Sequence, residues 1–107
     1  MATARHPLAT VFCGAQAVSG QLVQRRGRDG SELLVAPAGW SHAEFEWGID
    51  SEGAGCLAYA ILLDVFGPEE ADSLSLDYKY DVIIDLPEEW RFTVSDLVGW
   101  LSSYQDV

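Results

Sequence analysis

The sequence predicts an α+β domain. A small antiparallel sheet of about three N-terminal strands, containing one hairpin, packs with three C-terminal α-helices, the central one buried. Three observations predict it. Residues 53–67 are apolar on every side except at Asp64, and a helix that is hydrophobic all round belongs inside a protein. The residues before it break into short β-prone runs separated by glycines. The residues after it repeat apolar side chains at helical spacing.

Taken in order, residues 1–9 read as a flexible arm and residues 10–107 as a single domain, since a chain of 107 residues holds one core. Residues 10–13 form a short strand that stops at Gly14. Residues 21–26 and 31–36 form two more. Between them stands Gly27-Arg28-Asp29-Gly30, where Asp-Gly supplies the positive φ of a tight hairpin. Arg25, Arg26 and Arg28 make this hairpin the basic part of the chain, as a solvated edge that deters edge-to-edge pairing. After a loop at residues 37–41, Phe45 and Trp47 are two apart. They face one side of an extended segment and cover the start of the central helix.

The central helix has legible ends. Asp50 or Ser51 caps its start, Glu52 lies in the first turn where an anion is favoured, and Gly67-Pro68 stops it. A second helix is predicted from Pro68 to Leu86, ended by Pro87. Ala71, Leu74, Tyr78, Val82 and Leu86 form its core stripe. Glu70, Asp77, Asp81 and Glu88 fall together on another face with Asp85 beside them, and Leu76, Tyr80, Ile83 and Ile84 on a third. Residues 88–92 are a connector carrying Trp90. Thr93-Val94-Ser95-Asp96 resembles a capping box and opens a last helix to about residue 103.

Charge bounds the function. The formal net charge is −11, with fifteen Asp and Glu against Lys79 and Arg91 in residues 44–107. Such a surface repels nucleic acid and anionic membrane and attracts basic protein surfaces. Asp77, Asp81 and Asp85 are successive like-charge neighbours at i, i+4, which destabilises a helix by about 0.2–0.5 kcal/mol per pair. A row kept at that cost beside spare apolar residues reads as an interaction surface, comprising Glu70, Asp77, Asp81, Asp85 and Glu88 with Tyr80 and Ile84.

Motifs for chemistry are sparse. His42-Ala43-Glu44 is half of a zinc-deaminase signature without its Pro-Cys-x-x-Cys half. Two His and the two cysteines, Cys13 and Cys56, lack metal-ligand spacing. No leader is evident, so the thiols are expected free in a cytoplasmic protein. Residues 48–55, Gly-Ile-Asp-Ser-Glu-Gly-Ala-Gly, open a helix as an anion cradle does, but Asp50 and Glu52 oppose an anion and the Lys of a P-loop is missing. Asp64, costly to bury unpaired, is expected to pair with Lys79.

Phe45-x-Trp47-Gly48, Leu57-Ala58-x-Ala60-Ile61-Leu62-Leu63-Asp64, Tyr78-Lys79-x-x-Val82, Leu86-Pro87, Trp90-x-x-Thr93 and Trp100-Leu101 together resemble a family of small bacterial and phage proteins of unknown function, over about residues 10–103. The resemblance implies an α+β domain and raises anti-defence or regulatory roles. It implies no catalytic residue. The leading expectation is a non-enzymatic acidic protein, without cofactor or metal, that binds a basic surface of a nucleic-acid-handling partner as a nucleic-acid mimic. Anti-CRISPR proteins and other small phage inhibitors resemble it in size and charge. One alternative is an enzyme or small-ligand domain sited at Asp64 and residues 48–55. Another is a domain that self-associates through Leu76, Tyr80 and Ile84 as a homodimer.

Overall fold

A segment without a polar face has to be enclosed, and α1 (Glu52–Phe66) is enclosed: Ala54, Cys56, Leu57, Ala58, Ile61, Leu62 and Val65 are inaccessible to solvent. The structure is a computed structural model that describes residues 3–17, 20–28, 30–40 and 44–105. Before α1 come β1 (Val11–Ala17), β2 (Gly20–Gly27) and β3 (Gly30–Leu33). After it come α2 (Pro68–Asp81), a 3-10 turn (Ile83–Asp85), β4 (Trp90–Thr93) and α3 (Val94–Gln105). The sheet is four-stranded in the order β3-β2-β1-β4 and antiparallel throughout. The domain is therefore α+β as predicted, with one strand more than the N-terminal ones.

The added strand is the segment expected as a connector. Trp90 and Phe92 point into the core, pairing in register with Gly14 and Phe12 of β1. Their rings stack at 5.0 Å, Trp47 meets Trp90 edge-on at 5.5 Å, and Tyr78 of α2 meets Phe92 at 6.5 Å. β1 correspondingly does not stop at Gly14. Gly14 continues the strand because a Cβ there would collide with the Trp90 indole, so a residue without a side chain is what lets the indole lie on the strand. β3 ends at Leu33, short of Ala36. Gly27 pairs with Gly30, which takes φ +128° beyond the tight loop; Asp29 lies outside the described residues.

The ends of α1 follow the local chemistry. Ser51 accepts from the Ala54 N–H at 3.2 Å, and Glu52 occupies the first turn. Gly67 adopts φ 106°, ψ −180°, a region open to glycine alone. Its N–H caps α1 through Leu62 and Leu63, and its carbonyl accepts from Ala71 to start α2. Phe45 and Trp47 are both buried, and the Trp47 Nε1–H donates to the Glu88 carbonyl at 3.1 Å.

α2 is shorter than predicted. It stops at Asp81, because Val82 leaves helical geometry at φ −129° and the following 3-10 turn drives Ile83 wholly into the core. Ala71 and Tyr78 are buried, whereas Leu74, Val82 and Leu86 are only half-buried. Within the segment read as an arm, residues 1–9, Arg5 N–H donates to Val65 O at 2.6 Å and Leu8 O accepts from Ser95 N–H at 3.0 Å.

Candidate functional site

The acidic row is split by the end of α2. Glu70, Asp77 and Asp81 remain on the helix, Asp85 moves onto the 3-10 turn, and Glu88 lies in the segment before β4. A continuous line of i, i+4 carboxylates therefore ends at Asp81. Of the neighbouring apolar residues, Leu76 and Tyr80 are exposed, Ile84 is half-buried, and Ile83 is buried and unavailable to a partner.

Three carboxylates of α2 are also fixed to adjoining helices, which local spacing does not reveal. Asp72 accepts from the Tyr59 hydroxyl of α1 at 2.7 Å. Asp77 accepts from Tyr104 of α3 at 2.7 Å, and Asp81 from the Trp100 Nε1–H at 3.0 Å. The two α3 rings stack on each other at 5.4 Å, and Trp100 packs edge-on to Tyr78 at 4.9 Å. Hydrogen bonding to Asp72 and Asp77 holds the Tyr59 and Tyr104 phenols above their usual pKa. Phenol and indole are neutral donors, so each acid is oriented while its charge stays. The one cation of α2, Lys79, is drawn off to Asp50 Oδ1 at 2.8 Å, and that contact raises the pKa of its ammonium.

Asp64 does not meet Lys79. Two helices folded back on each other about Gly67 set Tyr59 against Asp72 and Gly55 against the stem of Lys79. Lys79 thus lies beside the first turns of α1, while Asp64 is in its last turn. Asp64 is held by Arg25 Nη1 at 2.5 Å and His6 Nε2 at 3.0 Å, and Arg25 also bonds Glu32 at 2.6 Å. His6 Nε2 and Asp64 Oδ2 are buried and meet in a close contact without hydrogen-bond geometry, and neither has a hydrogen-bond partner among the described residues. Arg25 is consequently not a solvated edge charge. Arg26 and Arg28 are exposed.

The two halves of the small-ligand alternative separate. Residues 48–55 adjoin the start of α1 and Asp64 lies near its end, about 16 Å away at 1.5 Å per residue, so they cannot form one site. At the turn, a Cβ on Gly53 would strike the Glu44 carbonyl and the Glu46 side chain. That space is filled, and by groups that repel an anion. His42 lies outside the described residues. Among the described residues no three His, Cys, Asp or Glu side chains converge as a metal would need, and no helix is long and apolar enough to cross a membrane. Cys13 and Cys56 are free thiols.

Fold and surface together define a small α+β domain with an acidic helical layer. The chain belongs to the family of unknown function (DUF6166), whose model matches residues 12–103. No curated protein and no solved structure matches it.

Proposed function

We propose that this protein is a non-enzymatic binding module that presents its acidic layer to a basic surface of a nucleic-acid-handling partner and inhibits it by occupying the path of the phosphate backbone. One observation carries the reading: Asp77 and Asp81 are held in place by donors that leave their charge uncompensated. Carboxylates fixed before binding lose little side-chain entropy on binding, which favours affinity. Exposed Leu76 and Tyr80 on the same helix supply apolar surface next to the charge. A role as a phage or mobile-element inhibitor of the anti-CRISPR kind fits this chemistry.

The test has to remove charge without loosening α3. Glu70, Asp85 and Glu88 make no side-chain hydrogen bond to another element among the described residues, so Glu70→Lys, Asp85→Lys and Glu88→Lys are combined. Tagged protein is used to capture partners from host lysate, and the wild type is expected to retain a basic protein that elutes at moderate salt and is displaced by added nucleic acid. Contacts of this kind weaken as the Debye length falls to about 10 Å at 0.1 M salt. Capture that survives the triple reversal joined to Asp77→Asn and Asp81→Asn, which remove charge and keep an acceptor for Tyr104 and Trp100, would overturn the reading.

A further inference from the structure

The helices cover one face of the sheet and leave the other open. By register, the open face carries Val11, Cys13 and Ala15 from β1, Leu22, Gln24 and Arg26 from β2, and Arg91 from β4. The side chains at Cys13 and Ala15 are short while those flanking them are long. A groove of about 530 Å³ therefore runs along β1, floored by Cys13, Gly14 and Ala15 and walled by β2 and β4. Its volume lies within the range of about 300–1,000 Å³ typical of small-molecule pockets.

The two arginines of the groove gather toward one end, and Ala15 and Leu22 lie toward the other. Arg26 stands opposite Val11 and Arg91 opposite Cys13, on the two strands that flank β1. At about 4.8 Å between strands and 3.4 Å per residue, their Cα atoms are about 12 Å apart, a span two arginine side chains close from opposite sides. Gln24 stands beside Arg26 on β2, across Cys13 from Arg91, with its Oε1 accepting from Arg26 at 3.1 Å. That bond leaves the Gln24 amide N–H groups free to donate. Neither Arg26 nor Arg91 has a carboxylate partner among the described residues. Further along, Leu22 faces Ala15, and Glu89 closes the far end.

We infer that this groove binds a small organic anion, a carboxylate, sulfonate or phosphate carried on a flat apolar body, with the anion between Arg26 and Arg91 and the body over Ala15 and Leu22. Charge complementarity selects the occupant. Two guanidiniums suffice for one anionic group and form the bidentate contacts it prefers. The net charge of −11 and Glu89 at the far end oppose a polyanion. This site is separate from the acidic layer and does not depend on the proposed function.

The probe is 1-anilinonaphthalene-8-sulfonate, titrated against the intact protein at constant ionic strength. Saturable binding at one site per chain is expected. Cys13 supplies an independent readout, because it is half-buried on the groove floor whereas Cys56 is wholly buried. Bound probe should slow alkylation of Cys13 by iodoacetamide. Arg26→Glu and Arg91→Glu should each weaken binding by about tenfold or more, the ratio set by one lost charge-assisted hydrogen bond. Ala15→Trp should fill the groove and abolish both binding and protection. Asp85→Lys on the helical layer should leave binding within about twofold. The inference fails if no saturable binding occurs, or if binding persists in Ala15→Trp with its fold confirmed by circular dichroism. It also fails if sedimentation shows a dimer that Ala15→Trp dissociates, which would give this face to a second copy.

Discussion

Asp64 shows how one carboxylate organises several distant residues. It is the one charge on α1 beyond its first turn, and three parts of the chain meet there: His6 before β1, Arg25 on β2 and the helix itself. Side chains about one-fifth exposed are still partly solvated, which tempers the cost of breaking the cluster. Asp64→Asn should destabilise the fold by about 1.5–3 kcal/mol at most, the range for a hydrogen bond to a charged group, seen as a lower urea midpoint with unchanged slope. An unchanged midpoint would show that the cluster adds nothing to stability. Gly14 makes the complementary point, since its role is to be absent. A Cβ there would run into the Trp90 ring, which cannot retreat because Phe92 stacks on it and Trp47 abuts it. Gly14→Ala should cost about 1–3 kcal/mol as overpacking does and shift the tryptophan emission. Loss of stability without any spectral change would place the strain elsewhere.

Elements with chemistry at both ends were legible in the sequence. α1 was readable because Ser51 and Gly67-Pro68 bracket an unbroken apolar run. α3 was readable from its capping box, which forms in both directions: Thr93 N–H donates to Asp96 at 2.9 Å, and Asp96 N–H to Thr93 Oγ1 at 3.1 Å. Thr93→Ala should therefore cost about 1 kcal/mol. Far-ultraviolet circular dichroism during urea titration checks it, and an unaltered midpoint would mean that α3 is held by packing alone. β4 was not legible, because four residues cannot display a period and its partner β1 lies some eighty positions away. Its alternation of Trp90 and Phe92 with Arg91 and Thr93 was the available signal. The end of α2 was missed for another reason. The apolar spacing continues through Val82 and Leu86, and only the fully buried Ile83 shows that the backbone turns there. The candidate site was half legible. The acids are exposed or half-buried as their type demands, but the aromatic donors that hold them come from other helices, and pairings across helices leave no mark in local spacing. The Asp64–Lys79 pairing failed because residues of two helices folded back about Gly67 meet at matched distances from that glycine, and Lys79 is too far along α2.

Over the whole molecule, charge is sorted by layer. The helices and the 3-10 turn carry nine of the seventeen acids, and the arginines without a carboxylate partner among the described residues include Arg26 and Arg91 on the open sheet face. The interior adds a dependence of its own at high pH. Burial, reinforced by the Glu52 carboxylate, pushes the Cys56 thiol from 9.0 up to about 11. Burial, with Asp96 nearby, likewise raises the Tyr78 phenol above its ordinary 10.0. Both groups are neutral when protonated, and both hold their protons more tightly folded than unfolded. Their contribution is therefore complete below pH 9.0 and declines as the unfolded thiol, and then the unfolded phenol, ionises first. Each new anion would enter a molecule already at −11, so self-repulsion acts in the same direction. Urea midpoints measured under reductant should be level up to about pH 9 and fall towards pH 11. Cys56→Ala, although less stable throughout from its cavity, should begin its fall later, at the pH where the tyrosines take over. If the variant and the wild type decline in parallel from pH 9, the thiol is not the source and the loss belongs to the phenols and to net charge.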